Sequence, residues 1–184
     1  MSLFEYVTVM ISMILALALG QLLMSAASLA KHRKHLIPFV PYILWFGCLF
    51  LTLINHWWSI WDLRAIEWNY AAFLYILIAP TLMFFAVGLL AVKNVGDSEI
   101  NLETEFEQVR PLFLAILFAY VLVMWFDGPL LAGQEPLGAV GILHAPMLAV
   151  YATGILSSNK RVQIAVPILI TVALSVVMVV RFRS

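Results

Sequence analysis

Six long apolar runs divide the sequence, and their length constrains the fold more than any other feature. The runs cover residues 3–30, 37–62, 68–92, 111–126, 137–156 and 162–180. About 20 apolar residues cross the hydrocarbon core of a bilayer as one helix, although the fourth run is shorter than this. Hydrophobic residues make up 64% of the chain and charged residues 11%, whereas a soluble domain is about half apolar and about a quarter charged. The sequence therefore predicts an all-α, polytopic transmembrane bundle of about six helices that forms a single domain over residues 1–184.

Charge and cysteine content exclude several classes of function. The formal net charge is +0 and argues against a nucleic-acid partner. Cys48 is the only cysteine, so no disulfide within the chain and no thiol-pair redox chemistry is expected. The first residues lack a basic segment and include Glu5, which predicts a retained helix rather than a cleaved signal peptide.

The distribution of lysine and arginine predicts the orientation. If the KHRKH loop at residues 31–35 is cytoplasmic, alternation of the six spans places seven basic residues inside and three outside. The inside set is Lys31, Arg33, Lys34, Lys93, Arg110, Lys160 and Arg161, and the outside set is Arg64, Arg181 and Arg183. We therefore expect the N-terminus outside, although the basic C-terminal RFRS argues against this count.

The long connection at residues 93–110 has an amphipathic pattern. Leu102, Phe106 and Val109 recur at helical spacing with glutamates between them. This pattern predicts a cytoplasmic interfacial helix that lies on the membrane before Pro111 turns the chain inward. A solvated acidic loop fits the same residues equally well.

Two segments of the sequence echo each other at an offset of 66 residues. ILIAPTLMFFAVGLLAVKN begins at Ile76, and ILHAPMLAVYATGILSSNK begins at Ile142. One interpretation is a duplicated helical hairpin, spans two and three recurring as spans four and five. Pro80 and Pro146 each lack an amide hydrogen, so two kinked helices that face each other could open a cavity between them, or the prolines could only shape packing.

The stretch NHWWSIWDLR, residues 55–64, has two faces when it is read as a helix. Asn55, His56, Ser59 and Asp62 fall within one arc, and the tryptophans lie on the opposite side. Aromatic rings of this kind are favoured at headgroup level. We interpret four tryptophans as anchors at the outer interface: Trp57, Trp58, Trp61 and Trp68.

The polar face has candidate partners in other spans. His144 lies at a depth comparable to that of His56, Asp127 and Asp62 lie at the outer rim, and Gln21 lies deeper. Three interpretations remain open. His56 and His144 could ligate a haem b, recognisable by its Soret band. The cluster could line a vestibule of a channel or transporter for a small solute or protons. Its members could instead only hydrogen-bond between helices.

Motifs for catalysis are missing from the sequence, which contains no HExxH, no GxSxG and no intramembrane carboxylate pair. Neither an enzyme nor a metal centre is expected, and haem b is the one candidate cofactor. Small residues recur every fourth position in two spans, as Ser12, Ala16 and Gly20, and as Gly141, Ala145 and Ala149. Such spacing favours close helix contact, within one chain or between copies.

Several segments resemble a family of small bacterial integral membrane proteins that has no assigned activity. The resemblance covers roughly residues 12–118 and rests on ISMILALALGQLLMSAASLAKHRKH, HWWSIWDLR, IAPTLMFFAVGLL and INLETEFEQVRPLFL. It implies a helix bundle of the bacterial cytoplasmic membrane and brings no functional residues. We therefore expect a non-enzymatic interaction, structural or small-ligand-binding subunit, oligomeric or in a larger complex; a channel or transporter is the alternative.

Overall fold

The computed structural model describes residues 3–91, 99–133, 135 and 143–183, and the described chain is predominantly helical. The predicted all-α bundle is confirmed. Its helices are α1 Leu3–Lys31, α2 Val40–Ser59, α3 Tyr70–Ile76, α4 Ile78–Leu90, α5 Leu102–Ala132, α6 His144–Leu156 and α7 Lys160–Arg183.

Five apolar helical segments are long enough to cross a bilayer, which makes this a multi-pass membrane protein. Within the described ranges they are Leu3–Lys31, Val40–Arg64, Tyr70–Leu90, Leu102–Leu131 and Lys160–Val179. The predicted fifth span, 137–156, is represented by α6, which has 13 residues and is therefore about 20 Å long. The first part of that predicted span lies outside the described residues.

The helices form a closed ring. Each packs against two neighbours in the order α1, α4, α5, α6, α7, α2 and back to α1, with α3 leading directly into α4. This order places α5 across the interior from α2.

Aromatic side chains fill the interior between α2, α5 and α6. Trp45 of α2 is fully buried, with its ring centroid 5.0 Å from that of Phe113 in an edge-on arrangement and 6.1 Å from that of Tyr151 in a stacked one. Phe106 lies 6.3 Å from Phe113. Because lipid is as apolar as the helices, such close packing, rather than removal of surface from water, holds the bundle together.

We call the two ends of the bundle the basic end and the tryptophan end. The basic end carries residues 31–39, where strand β1, Leu36–Ile37, pairs in parallel with β2, Ile100–Asn101. There the Tyr42 hydroxyl donates a hydrogen bond to the Leu90 carbonyl. The tryptophan end carries residues 57–70 and the beginning of α1.

Helix α5 runs through Pro111 without interruption, so the expected turn at this proline is wrong. The Asn101 side chain accepts hydrogen bonds from the Glu103 and Thr104 amides and so caps the beginning of the helix. Helix α5 therefore begins nine residues before the predicted span. Phe106 is fully buried, with its ring 5.8 Å from that of Phe39. This packing draws the amphipathic segment into the bundle instead of leaving it on the membrane surface.

Helices α4 and α6 have the same length and begin in the same way. Each has 13 residues with proline at the third position, and the preceding residues, Leu77 and Leu143, have nearly equal dihedrals of −75°, −16° and −76°, −19°. A proline costs little there because amides in the first helical turn have no carbonyl partner. Pro80 is buried whereas Pro146 is exposed. The two prolines therefore do not face each other, which contradicts the interpretation that they open a cavity between them and leaves the alternative that they shape packing.

Gly154 marks the close approach of α6 to its two neighbours. A Cβ atom built there would lie 3.1 Å from Leu114 Cδ1 and 3.3 Å from Val166 Cγ2. We expect Gly154→Val to destabilise the bundle by about 1–3 kcal/mol through overpacking. Gly47→Val is the matched control, because the same construction at Gly47 meets no atom within 4 Å. The apparent melting temperature in detergent measures both, and equal values for the two variants would contradict the packing described here.

Candidate functional site

The segment at residues 55–64 presents two different faces, as its spacing predicted. Trp57, Trp58 and Trp61 are 53%, 52% and 62% exposed, whereas His56 is 6% exposed and Ser59 is 9% exposed. The tryptophans therefore face outward from the bundle, where the membrane lies. The two buried residues face its interior.

Asp62 does not share the buried face. Helix α2 ends at Ser59 and continues as a 3₁₀ helix over Ile60–Ala65, which advances about 120° per residue instead of about 100°. This tighter winding carries Asp62 to an exposed position. Next to it, the Arg64 guanidinium lies 4.8 Å from the centre of the Trp61 ring. Asn55 is half-buried.

His56 meets a tyrosine across the ring of helices. Its Nδ1 atom lies 3.1 Å from the hydroxyl oxygen of Tyr120 in α5, and Tyr120 is 5% exposed. The Ser59 hydroxyl donates to the His56 carbonyl within α2 and adds no link between helices. Tyr120 is absent from the cluster that the sequence predicted.

His144 contacts a different part of α5. Its ring stacks on Trp125, with centroids 6.5 Å apart and planes 11° apart. Tyr120 and Trp125 are five residues apart, which is about 7.5 Å along the helix and about 140° around it. Each imidazole thus has an aromatic partner on α5. Among the described residues, no group of three or more His, Cys, Asp or Glu side chains is placed to hold a metal ion.

Tyr75 connects the last turns of α3 to α5. Its hydroxyl donates to the Val123 carbonyl at 2.8 Å and also lies within hydrogen-bonding reach of the Asp127 carboxylate. Asp127 is half-buried. Asp127, which the sequence placed at the outer rim, therefore takes part in the contact between α3 and α5.

Gln21 lies toward the opposite end from His56. Its amide is 3.6–3.8 Å from a Cβ built at Gly88. Gly88 lies two residues before Leu90, whose carbonyl accepts the Tyr42 hydrogen bond at the basic end. Gln21 Oε1 is buried without a hydrogen-bond partner. Gln21 therefore lies apart from the His56–Tyr120 contact.

Trp68 differs from the three exposed tryptophans. It is half-buried and lines an apolar cleft of about 360 Å³ between the beginning of α1 and α3. The other lining residues are Leu3, Tyr6, Val7, Asn69, Tyr70 and Phe73.

Below His56, further polar groups continue into the interior. Tyr120, Tyr151 and Cys48 belong to the same buried core, and the Thr52 hydroxyl donates to the Cys48 carbonyl at 2.8 Å. Sequence reasoning missed the tyrosines because their rings satisfy the apolar periodicity of the helices. Only the hydroxyl groups of these tyrosines are polar, and their positions along the chain form no periodic pattern that would mark them.

The most extensively bonded polar residue of the described chain is Arg110 in α5, which is 6% exposed. Its Nη1 donates to the carbonyls of Gly154 at 2.8 Å, Ser157 at 3.1 Å and Ile155 at 3.3 Å. These carbonyls belong to the end of α6, where the helix dipole is negative and intrahelical donors are missing.

Two more side chains complete this arrangement. Arg110 Nη2 donates to Ser158 Oγ at 2.8 Å, and its Nε donates to Glu107 Oε2 at 2.9 Å. From α7, the fully buried Gln163 donates through Nε2 to the Gly154 carbonyl at 2.9 Å and to the Ser157 carbonyl. We call Arg110 and Gln163 with these carbonyls the α6 clamp. The sequence indicated only a cytoplasmic charge at Arg110.

No protein-family model matches the chain, and comparisons with curated proteins and with solved structures find no match either.

Removal of the Arg110 side chain tests the clamp. We expect Arg110→Ala to lower the free energy of unfolding by roughly 2–4 kcal/mol, because buried carbonyls lose a charged donor. Arg110→Lys is expected to restore only part of this, since an ammonium cannot reproduce the planar fork. Denaturation by SDS in mixed micelles gives the values, with Arg161→Ala at an exposed position as control. Equal stability of the Arg110 and Arg161 alanine variants would refute the clamp.

Proposed function

We propose that the protein is a non-enzymatic interaction or structural subunit of a membrane complex, formed with copies of itself or with another membrane protein. The observation that carries this proposal is the outward position of the small residues on α1. Ala16 is exposed, Ser12 and Gly20 are partly exposed, and a Cβ built at Gly20 meets no atom within 4 Å.

Small residues let helices approach each other closely, and such rows are typical of helix–helix interfaces in membranes. Within this chain the row on α1 is not used in that way. Ala145 and Ala149 of α6 are exposed as well, whereas Gly141 lies outside the described residues. Helix α1 is also the least covered of the five long apolar helices, with 28% of its most apolar window buried. These features support contact with a second protein at α1.

The location that we propose is the bacterial cytoplasmic membrane, with the basic end in the cytoplasm and the N-terminus outside. The lysine and arginine distribution supports this orientation. The resemblance to small bacterial membrane proteins supports the organism class.

A leucine on the small-residue row tests self-association. We expect the purified wild-type protein to sediment as an oligomer in mild detergent and Gly20→Leu to weaken the association constant about tenfold or more. Overpacking at a close contact costs about 1–3 kcal/mol, and about 1.4 kcal/mol corresponds to tenfold.

Gly47→Leu provides the matched control for this experiment. Gly47 is exposed on α2, with no atom within 4 Å of a built Cβ, and lies among large exposed side chains such as Ile43 and Phe50. We expect Gly47→Leu to associate like the wild type. A monomeric wild-type protein that copurifies with no partner, or identical behaviour of the two leucine variants, would rule out the α1 surface.

A second candidate, a path for protons, is favoured by one observation. His56 and Tyr120 form a buried pair, and Tyr151 and Cys48 are buried in the same core. Ionisable or hydroxyl side chains in the interior of membrane proteins often mark proton relays. The same residues can also serve only as interhelical hydrogen bonds, so the candidate depends on transport measurements.

Proton flux into vesicles that contain the protein and a pH-sensitive dye distinguishes the two. A path predicts flux above that of empty vesicles, with loss of the excess in His56→Ala and Tyr120→Phe. His144→Ala is the control, because the His144 ring stacks on Trp125. Wild-type flux equal to that of empty vesicles would leave packing as the role of the pair.

A further inference from the structure

Five cationic side chains at the basic end lie exposed and without a carboxylate partner. None of them has a carboxylate within ion-pair distance in the part of the chain that the structure describes, where Arg110 is instead paired with Glu107. They belong to the end of α1, the following turn and the first two residues of α7: Lys31, Arg33, Lys34, Lys160 and Arg161.

The packing of the helices gathers these charges into one sector. Helix α2 lies between α1 and α7 in the ring, and the basic turn connects α1 to α2. Lys160 Nζ lies 5.3 Å from the centre of the Phe39 ring, and Phe39 is the residue immediately before α2. The first residue of α7 is thus held against the segment that follows the basic turn. We call these five residues the cationic sector.

The cationic sector lies at the ends of apolar helices, where lipid headgroups are expected. Lys31 ends the long apolar helix α1, and Lys160 begins the apolar helix α7. Lysine and arginine at such boundaries extend their charged groups to the headgroup level while their stems stay in apolar surroundings. Glu103 and Glu105 are exposed at the beginning of α5, which the pairing of β1 with β2 brings beside the basic turn. Neither carboxylate lies within ion-pair distance of the five cations.

At the opposite end of the bundle, Arg64 is the one exposed lysine or arginine among the residues whose side chains the structure describes, and its guanidinium lies over the Trp61 ring. A group of cations without carboxylate partners at one membrane boundary attracts the anion that is present at that level, which is a lipid phosphate.

We propose that the cationic sector binds the headgroup phosphates of anionic phospholipids. This inference is independent of the proposed oligomer, because it concerns α1, α2 and α7 at the basic end and needs no second copy of the chain. The ligand is a lipid in the same membrane, so binding is expected to depend on headgroup charge and not on acyl-chain length.

Native mass spectrometry of the full-length protein tests the proposal, with phosphatidylglycerol and phosphatidylcholine of identical acyl chains as probes. We expect the wild type to retain phosphatidylglycerol in preference to phosphatidylcholine at low salt. Each removed charge is expected to lower this retention about fivefold. The double variant K160Q/R161Q should therefore lose about 25-fold, and raising the salt concentration should weaken retention in the wild type.

Two further variants keep the test independent of folding. R33Q/K34Q changes only the turn between α1 and α2, and it should lower retention as K160Q/R161Q does. R64Q removes a cation at the opposite end and should retain phosphatidylglycerol like the wild type. Thermal unfolding of each variant without added lipid verifies that the bundle is intact.

Three results would overturn the proposal. Equal retention of the two lipids by the wild type would show that headgroup charge is not recognised. Equal loss in R64Q and in the sector variants would assign the effect to net charge alone. Stabilisation of the wild type by inorganic phosphate to the same degree as by phosphatidylglycerol would indicate a site for a soluble anion.

Discussion

The carbonyl groups at the end of α6 need hydrogen-bond donors from other helices of the protein. The residues that supply these donors fix the packing of the helices at the basic end. A backbone carbonyl without a donor in apolar surroundings costs several kcal/mol. Arg110 supplies donors from α5 and Gln163 supplies them from α7. Three neighbouring helices of the ring are therefore fixed at one level, and the chain passes from Leu156 to Lys160 in a tight connection.

The face of α5 that carries Arg110 also carries the main contacts of the interior. Phe106, Arg110, Phe113, Leu117 and Tyr120 recur at intervals of three or four residues and are all buried. Arg110 therefore occupies a core position on the stripe that carries the aromatic contacts to Trp45 and the contact to His56. The fourth apolar run of the sequence begins only at residue 111, since Arg110 and the glutamates before it are charged. The sequence therefore does not show that residues 102–110 belong to the same core helix.

The sequence was sufficient to predict the membrane helices, but in most cases it was not sufficient to predict which face of each helix is buried. Uncharged runs of sufficient length predict membrane helices directly, since a bilayer sets the length that is needed. The outward side of the three tryptophans also followed from helical angle alone. By contrast, Ala16 and Ala149 lie on the outside although their spacing would serve equally well inside. Which of two acceptable faces is buried depends on the neighbouring helices, and one sequence does not contain that information explicitly.

Helices α4 and α6 have similar sequences, yet the side of each that is buried differs. Their lengths, first turns and prolines agree, yet Pro80 is buried and Pro146 is exposed. Gly88 meets a flexible glutamine side chain, whereas Gly154 meets Leu114 and Val166 at shorter distances. Helix α4 packs between α1 and α5, but α6 packs between α5 and α7. Similar local sequences therefore begin similar helices, and the different neighbours then determine which side of each becomes interior.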